Sequence, residues 1–304
     1  MTTAPSNRPA SSSLASSSPA VPKARVRPAG QGDVEAICDL IARHFGKRIR
    51  RDEWRRLFDY RWGAGAPDHG WVLDQEGHIV GYLGAIYAER EIDGQVERIC
   101  NLTSMCVDAT HRAMAPFLIM AAVRRGDCTV TGLSARPSVF RILERAGFAP
   151  LDPGKLVVPP LFNLFGLARG RPSFEWDPDR MRPELDGTAL RILDDHLSYG
   201  CQCLLARYDD RRCLLVVKRR ILRILPVSEI LFATDRDFMT EHIEAVTWAI
   251  IVRQRTLAVM ADRRLYGNGA PAAIFLKSPS LFRSRRLEAH QIDNLYSELV
   301  LLPM

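Results

Sequence analysis

The run from Val96 to Pro150 limits what this chain can become more than any other stretch. Val96 to Val107 is long enough for one central strand. A polar turn, Asp108 to Arg112, ends it, and apolar residues then recur at helical spacing from about Pro116 to Val123. A short second strand, Asp127 to Leu133, leads into a second helix, about Pro137 to Arg145, closed by Gly147-Phe148. The fold class expected is α/β (α+β), with a mixed, mostly antiparallel central sheet flanked by helices.

Upstream, Ala24 to Pro28 can form an edge strand, and Gly32-Asp33 can cap an amphipathic helix carrying Val34, Ile37, Cys38, Ile41 and Phe45. Arg51 to Trp62 reads as a second helix. Two strands, Trp71 to Asp74 and His78 to Ala88, follow, and Asp93-Gly94 turns the chain into the central strand. Residues 1–23 are Ser, Ala and Pro with little to bury, which predicts a disordered tail with no apolar secretory core. The first folded unit is expected over 24–151.

The proline-dense segment 152–186 reads as a linker, and 187–304 as a second unit. There, Gln202 to Tyr208, Cys213 to Lys218, Ile221 to Pro226 and Val227 to Ala233 have strand character. Phe238 to Arg253 is helical by period, and Leu257 to Ala261, Ala273 to Lys277 and Ser297 to Leu302 read as further strands. Sheet, helix and strand recur in the same order, so a second, more diverged copy of the first unit is expected, although no internal repeat aligns residue for residue.

At 304 residues, 47% hydrophobic and 25% charged, the chain can bury two cores. No apolar run reaches the ~18 residues of a membrane span. Seven cysteines without a Cys-x-x-Cys pair read as buried apolar side chains in a reducing compartment, with no metal site and a cytoplasmic location. The net charge of +7 favours anionic ligands. Arg207, Arg211, Arg212, Lys218, Arg219, Arg220 and Arg223 alternate with aliphatic residues and few aromatics, which suits a solvated sheet face better than a nucleic-acid surface.

The strand-turn-helix-strand-helix-Gly-Phe order of 96–150, with the Arg27-Pro28-Ala29 opening and its helix, resembles the acyl-CoA-binding half of GNAT-type N-acetyltransferases. The resemblance implies transfer of an acyl group, acetyl in most relatives, from acyl-CoA to a small-molecule or peptide amine; oligomer formation is left open. It implies a central strand that parts from its neighbour, freeing Met105, Cys106 and Val107 to pair with the pantetheine arm. It also implies a turn, His111 to Phe117, that presents Arg112, Ala113, Met114, Ala115 and Phe117 to the pyrophosphate. Ser134 and Arg136 stand where the next helix would touch pantetheine or phosphate, or Ser134 serves as an ordinary cap.

The chain departs from the family pattern in two places. Ala115 and Phe117 replace small glycine-type positions, and Pro116 lacks an amide donor. Leu143 stands where many relatives carry a proton-donating tyrosine. The catalytic candidates are therefore Glu97 as base, with Asn101 and Thr103 lining the acceptor side, and Tyr296 as the acid supplied by the second half. Glu97 as a solvated strand end and Tyr296 as a packed phenol are the alternatives. A non-catalytic GNAT-like binding module remains the competing function.

Overall fold

The computed structural model describes residues 24–46, 49–63, 65–160, 171–266 and 273–303. The tail expected to be disordered, and 161–170 of the expected linker, lie outside them. The first half runs β1 (Arg25–Pro28), α1 (Val34–Phe45), α2 (Arg51–Trp54), β2 (Gly70–Gln75), β3 (His78–Ile92), β4 (Gln95–Val107), α3 (Ala115–Arg124), β5 (Thr129–Gly132), α4 (Pro137–Arg145) and β6 (Ala149–Val158). The second half runs β7 (Ser173–Glu175), α5 (Pro178–Met181), α6 (Gly187–Leu197), β8 (Cys201–Tyr208), β9 (Arg211–Leu222) and β10 (Leu225–Ala233). It continues through α7 (Arg236–Gln254), β11 (Val259–Asp262), α8 (Arg263–Tyr266), β12 (Ile274–Arg283) and α9 (Glu298–Leu301).

The twelve strands of the described residues form one sheet, in the order β1-β2-β3-β4-β5-β12-β6-β11-β10-β9-β8-β7. Read from either end, the order repeats the same plan. Four antiparallel strands lead to one parallel pair, β4 with β5 and β10 with β11. In the middle the halves exchange strands. β12 lies between β5 and β6, and β6 lies between β12 and β11, each antiparallel to both neighbours. Each half thus fills the place its partner leaves, and no edge is left bare there.

Local chemistry sets the corners. Asp93 (φ 51°) and Gly94 (φ 74°) take the left-handed conformation that a tight hairpin between right-twisted strands requires. Asp186 and Asp235 accept backbone N–H bonds from Ala189 and Phe238 and so cap α6 and α7. Asp33 does not cap α1 as expected; its carboxylate accepts both guanidinium N–H groups of Arg27 at 2.7 and 2.8 Å. Arg51 to Trp62 holds only the single turn of α2, followed by 3₁₀ turns.

Two faces bury the core. On one, α1, α6 and α9 pack in a single cluster that joins both halves, from Ile37 and Ile41 to Leu193 and Leu301. On the other, the halves have separate clusters, under α3 and α4 in the first and under α7 in the second. Residues 152–158 of the expected linker are part of β6 and lie inside the sheet. Pro153 is tolerated there because the β6–β12 register shifts beside it, between Lys277 and Ser280. The expected final strand, Ser297 to Leu302, is the short helix α9. Ser297 caps it, accepting the Leu299 N–H at 3.2 Å.

Candidate functional site

β4 and β5 pair over only three positions, Ile99 with Thr129, Cys100 with Val130 and Asn101 with Thr131. β5 then ends at Gly132, while β4 continues to Val107 paired only with β3. The cause lies on the other side of β4. Tyr82 faces Cys106 and Gly84 faces Thr103, so Ser104 and Met105 share the place opposite Leu83. Such a bulge bends a strand and increases its twist, and Ser104 takes a left-handed φ of 52° to make it.

The bulge also reverses which side chains face which way. Cys100 and Leu102 pack under α3 and α4, but beyond the bulge Val107 does so and Cys106 joins the opposite cluster with α1. Asn101, Thr103 and Met105 alternate by twos in the sequence and would share one face of an unbroken strand. The inserted residue separates Met105, which packs with the α3–α4 cluster, from Asn101.

Where the strands part, a cavity of about 360 Å³ opens. Leu102 to Met105 line it from β4, Ile119 from α3, and Gly132, Ser134, Ala135, Arg136, Val139 and Leu143 from β5 and α4. Phe45, Ile49 and Trp54 close it from α1 and α2, and Glu298 and Leu302 reach it from the end of the chain. The walls are mainly apolar. Phe117, which could have plugged the gap, is 56% exposed on α3 and absent from the lining.

One wall carries a buried acid. Glu298 is 1% exposed, and its Oε1 accepts the Ser134 hydroxyl. Its Oε2 is buried without a hydrogen-bond partner among the described residues. Burial pushes the carboxyl up to about 7, and the Ser134 hydroxyl draws it partway back. Asn101 braces the junction: its Nδ2 donates to Thr131 Oγ1 at 3.0 Å, and its Oδ1 accepts the Glu298 N–H at 3.5 Å. Behind Glu298, Arg220 donates to the Leu302 carbonyl at 2.9 Å and also to Leu299, and Lys218 donates to Val300. Cations on the last carbonyls of a helix suit its dipole and hold α9 against the sheet.

No protein-family model and no curated protein matches the sequence. Solved structures do match in three dimensions. A GCN5-related N-acetyltransferase from Anabaena variabilis gives a TM-score of 0.54 at 10% identity, over 86% of this chain and 72% of its own. A putative acetyltransferase from Pyrococcus horikoshii gives 0.53 at 11%, over 87% and 90%. A GCN5-related N-acetyltransferase from Kribbella flavida gives 0.54 at 12%, over 86% and 71%. This chain has the GNAT fold.

Within that GNAT fold the expected site residues divide. Met105, Ser134 and Arg136 line the cavity. Asn101 braces its apex. Cys106 and Val107 are buried beyond the bulge, on opposite faces of β4. Arg112, Ala113, Met114 and Ala115 do not form an open cradle. Residues Ala109–Met114 make a 3₁₀ helix that runs into α3, so His111 N–H bonds to Asp108 and Ala115 N–H to Arg112.

The other two catalytic candidates sit elsewhere. Glu97 lies at the opposite end of β4, its carboxylate 3.1 Å from Arg286. Tyr296 donates to Asp195 Oδ2 at 2.9 Å and packs edge-on against Trp62 and His196, with its pKa raised by burial. Neither lines the cavity. The acid that does, Glu298, lies in the polar run Asp293 to Glu298 and leads into an apolar stretch, Leu299 to Leu302, that reads as a strand. Ser297 just before it, a helix-capping residue, was the available signal.

Proposed function

We propose that this protein transfers an acyl group from an acyl-CoA thioester to an amine. The parting of β4 and β5 at the Ser104 bulge carries the reading. It leaves a strand of unpaired backbone beside an apolar slot, which suits an uncharged, amide-rich pantetheine arm. Holding thioester and amine together there supplies the orientation that such a reaction mainly requires. Met105, Ser134 and Arg136 would contact the thioester's arm. Because the amides of 111 and 115 are used within the 3₁₀ turn, the phosphates would rely on the Arg112 and Arg136 side chains. Arg136 is anchored over the Phe45 ring at 4.4 Å.

Ala115 and Phe117 at the small positions and Leu143 in place of a proton-donating tyrosine favour a second reading, a binding module without turnover. Isothermal titration with acetyl-CoA, followed by a thiol-release assay on a panel of primary amines, separates the two. Binding with release supports transfer, and binding without release for any amine supports the module. No binding at low salt, where phosphate contacts are strongest, rejects transfer and favours a module for another ligand.

A further inference from the structure

Glu298 is the only described carboxylate lining the first-half cavity, and it arrives from the far end of the chain. A buried carboxyl with one oxygen unsatisfied costs stability, so its persistence calls for a reason. Its place in the first turn of α9, where a carboxylate suits the helix dipole, accounts for the charge but not for the oxygen left without a partner. Ser297 already caps α9, and the clamp on that helix comes from Arg220 and Lys218 acting on its carbonyls.

The geometry points to a proton relay, in which Ser134 takes the proton from the attacking amine while passing its own to Glu298. This rests on the acyl-transfer reading and names the groups that complete it. Ser134 is exposed on the cavity wall, and its hydroxyl already donates to Glu298 Oε1. In the forward step the amine nitrogen bonds to the thioester carbonyl carbon. Its N–H proton moves to Ser134 Oγ, and the serine proton moves to Oε1. The C–S bond then breaks with its electron pair on sulfur, and the proton returns through Ser134 to give the thiol. No other reactant is required, and the pair ends as it began.

The charges facing Glu298 leave it free for this task. Lys155 on β6 and Arg220 on β9 both pair with Glu229 on β10, and Lys218 is held by the Val300 carbonyl. Arg136 on α4 lies over Phe45. A carboxyl titrating at about 7 is matched to exchanging protons near neutrality.

The test combines a 13C NMR titration of the Glu298 carboxyl, with and without acetyl-CoA, and thiol release with primary amines. The carboxyl is expected to titrate at about 7. It should move upward in Ser134→Ala, which removes the bond favouring the charged form, and stay in place in Ser134→Thr. E298Q should lose about 10²–10⁴-fold in kcat and the acidic limb of the pH profile, with acetyl-CoA affinity unchanged. A carboxyl in the ordinary range, one indifferent to Ser134→Ala, or an E298Q enzyme that keeps its acidic limb overturns the relay and leaves acyl transfer standing. A wild-type protein that binds no acetyl-CoA overturns both.

Discussion

The two partings of the sheet follow one plan and end in different chemistry. β10 pairs with β11 at Ser228, Glu229 and Ile230, as β4 pairs with β5 at Ile99, Cys100 and Asn101. Past each parallel pair the strand bulges, at Leu231 in the second half and at Ser104–Met105 in the first. Yet the second opening, about 740 Å³, is lined by Asp186, Asp235, Arg236, Asp262, Arg264 and Asp293 among others. There burial raises the pKa of Asp262 as well, but its Oδ2 accepts from Asn294 at 2.9 Å and Arg264 at 3.1 Å. The first opening keeps apolar walls and a lone acid. Topology makes a slot in both halves; the lining decides which of them suits an uncharged thioester arm.

The largest effect expected from this contrast concerns stability. Glu298 has its folded pKa raised by burial from 4.5 to about 7, so below about 4.5 it is protonated in folded and unfolded chains alike. As pH rises from there to about 7 the unfolded chain releases the proton first, and the folded state loses stability. The loss is on the order of 3 kcal/mol at most, at ~1.4 kcal/mol per pKa unit. E298Q should therefore melt with the wild type at pH 4 and above it at pH 8. A variant no more stable at pH 8 than at pH 4, relative to wild type, removes the distinction between a strained acid in the first half and satisfied ones in the second.

Filling the slots should separate them next. Ala135→Trp places an indole in the first cavity, and Thr188→Trp places one in the second. The first should weaken acetyl-CoA binding at least about 100-fold, roughly 2.7 kcal/mol. The second should leave binding within about twofold. Isothermal titration reads both, and equal losses would mean that the second opening shares in binding.

Much of this architecture was legible in the sequence, and the failures have physical causes. The β4–α3–β5–α4 order declared itself because apolar spacing switches between strand and helix periods at polar turns. Most second-half strands were legible for the same reason, but Ile221 to Pro226 holds the β9–β10 turn and Ser297 to Leu302 is α9. The exchange of β6 and β12 was not, because it depends on pairing between distant segments that no local period encodes. Side-chain alternation on β4 can be counted by twos only as far as the bulge, since that count assumes an unbroken strand. Glu298 is masked in the sequence by its apolar neighbours, and nothing local to Tyr296 reveals that Asp195, a distant residue, holds its hydroxyl.

The bulge itself gives the smallest and most diagnostic effect. A non-glycine residue in the left-handed region carries a strain of about 1–2 kcal/mol, part of which its surroundings recover. Ser104 holds φ at 52° at the point where the first slot opens, whereas the second-half bulge at Leu231 needs no positive φ. Ser104→Gly should therefore stabilise the fold by about 0.5–1 kcal/mol, offset in part by the greater freedom of the unfolded chain. It also removes the hydroxyl that lies 3.1 Å from Thr103 Oγ1, leaving a backbone with no side chain to hold its kink. Chemical denaturation should show the gain, and acetyl-CoA titration should show a loss of a few fold as the slot loosens. A variant that is stabilised without any loss of binding would mean that the kink is set by Gly84, where an added Cβ would come within 2.9 Å of Thr103, and by the strand pairing beside it. The opening would then be a property of β3 and β4 together, with Ser104 merely accommodating it.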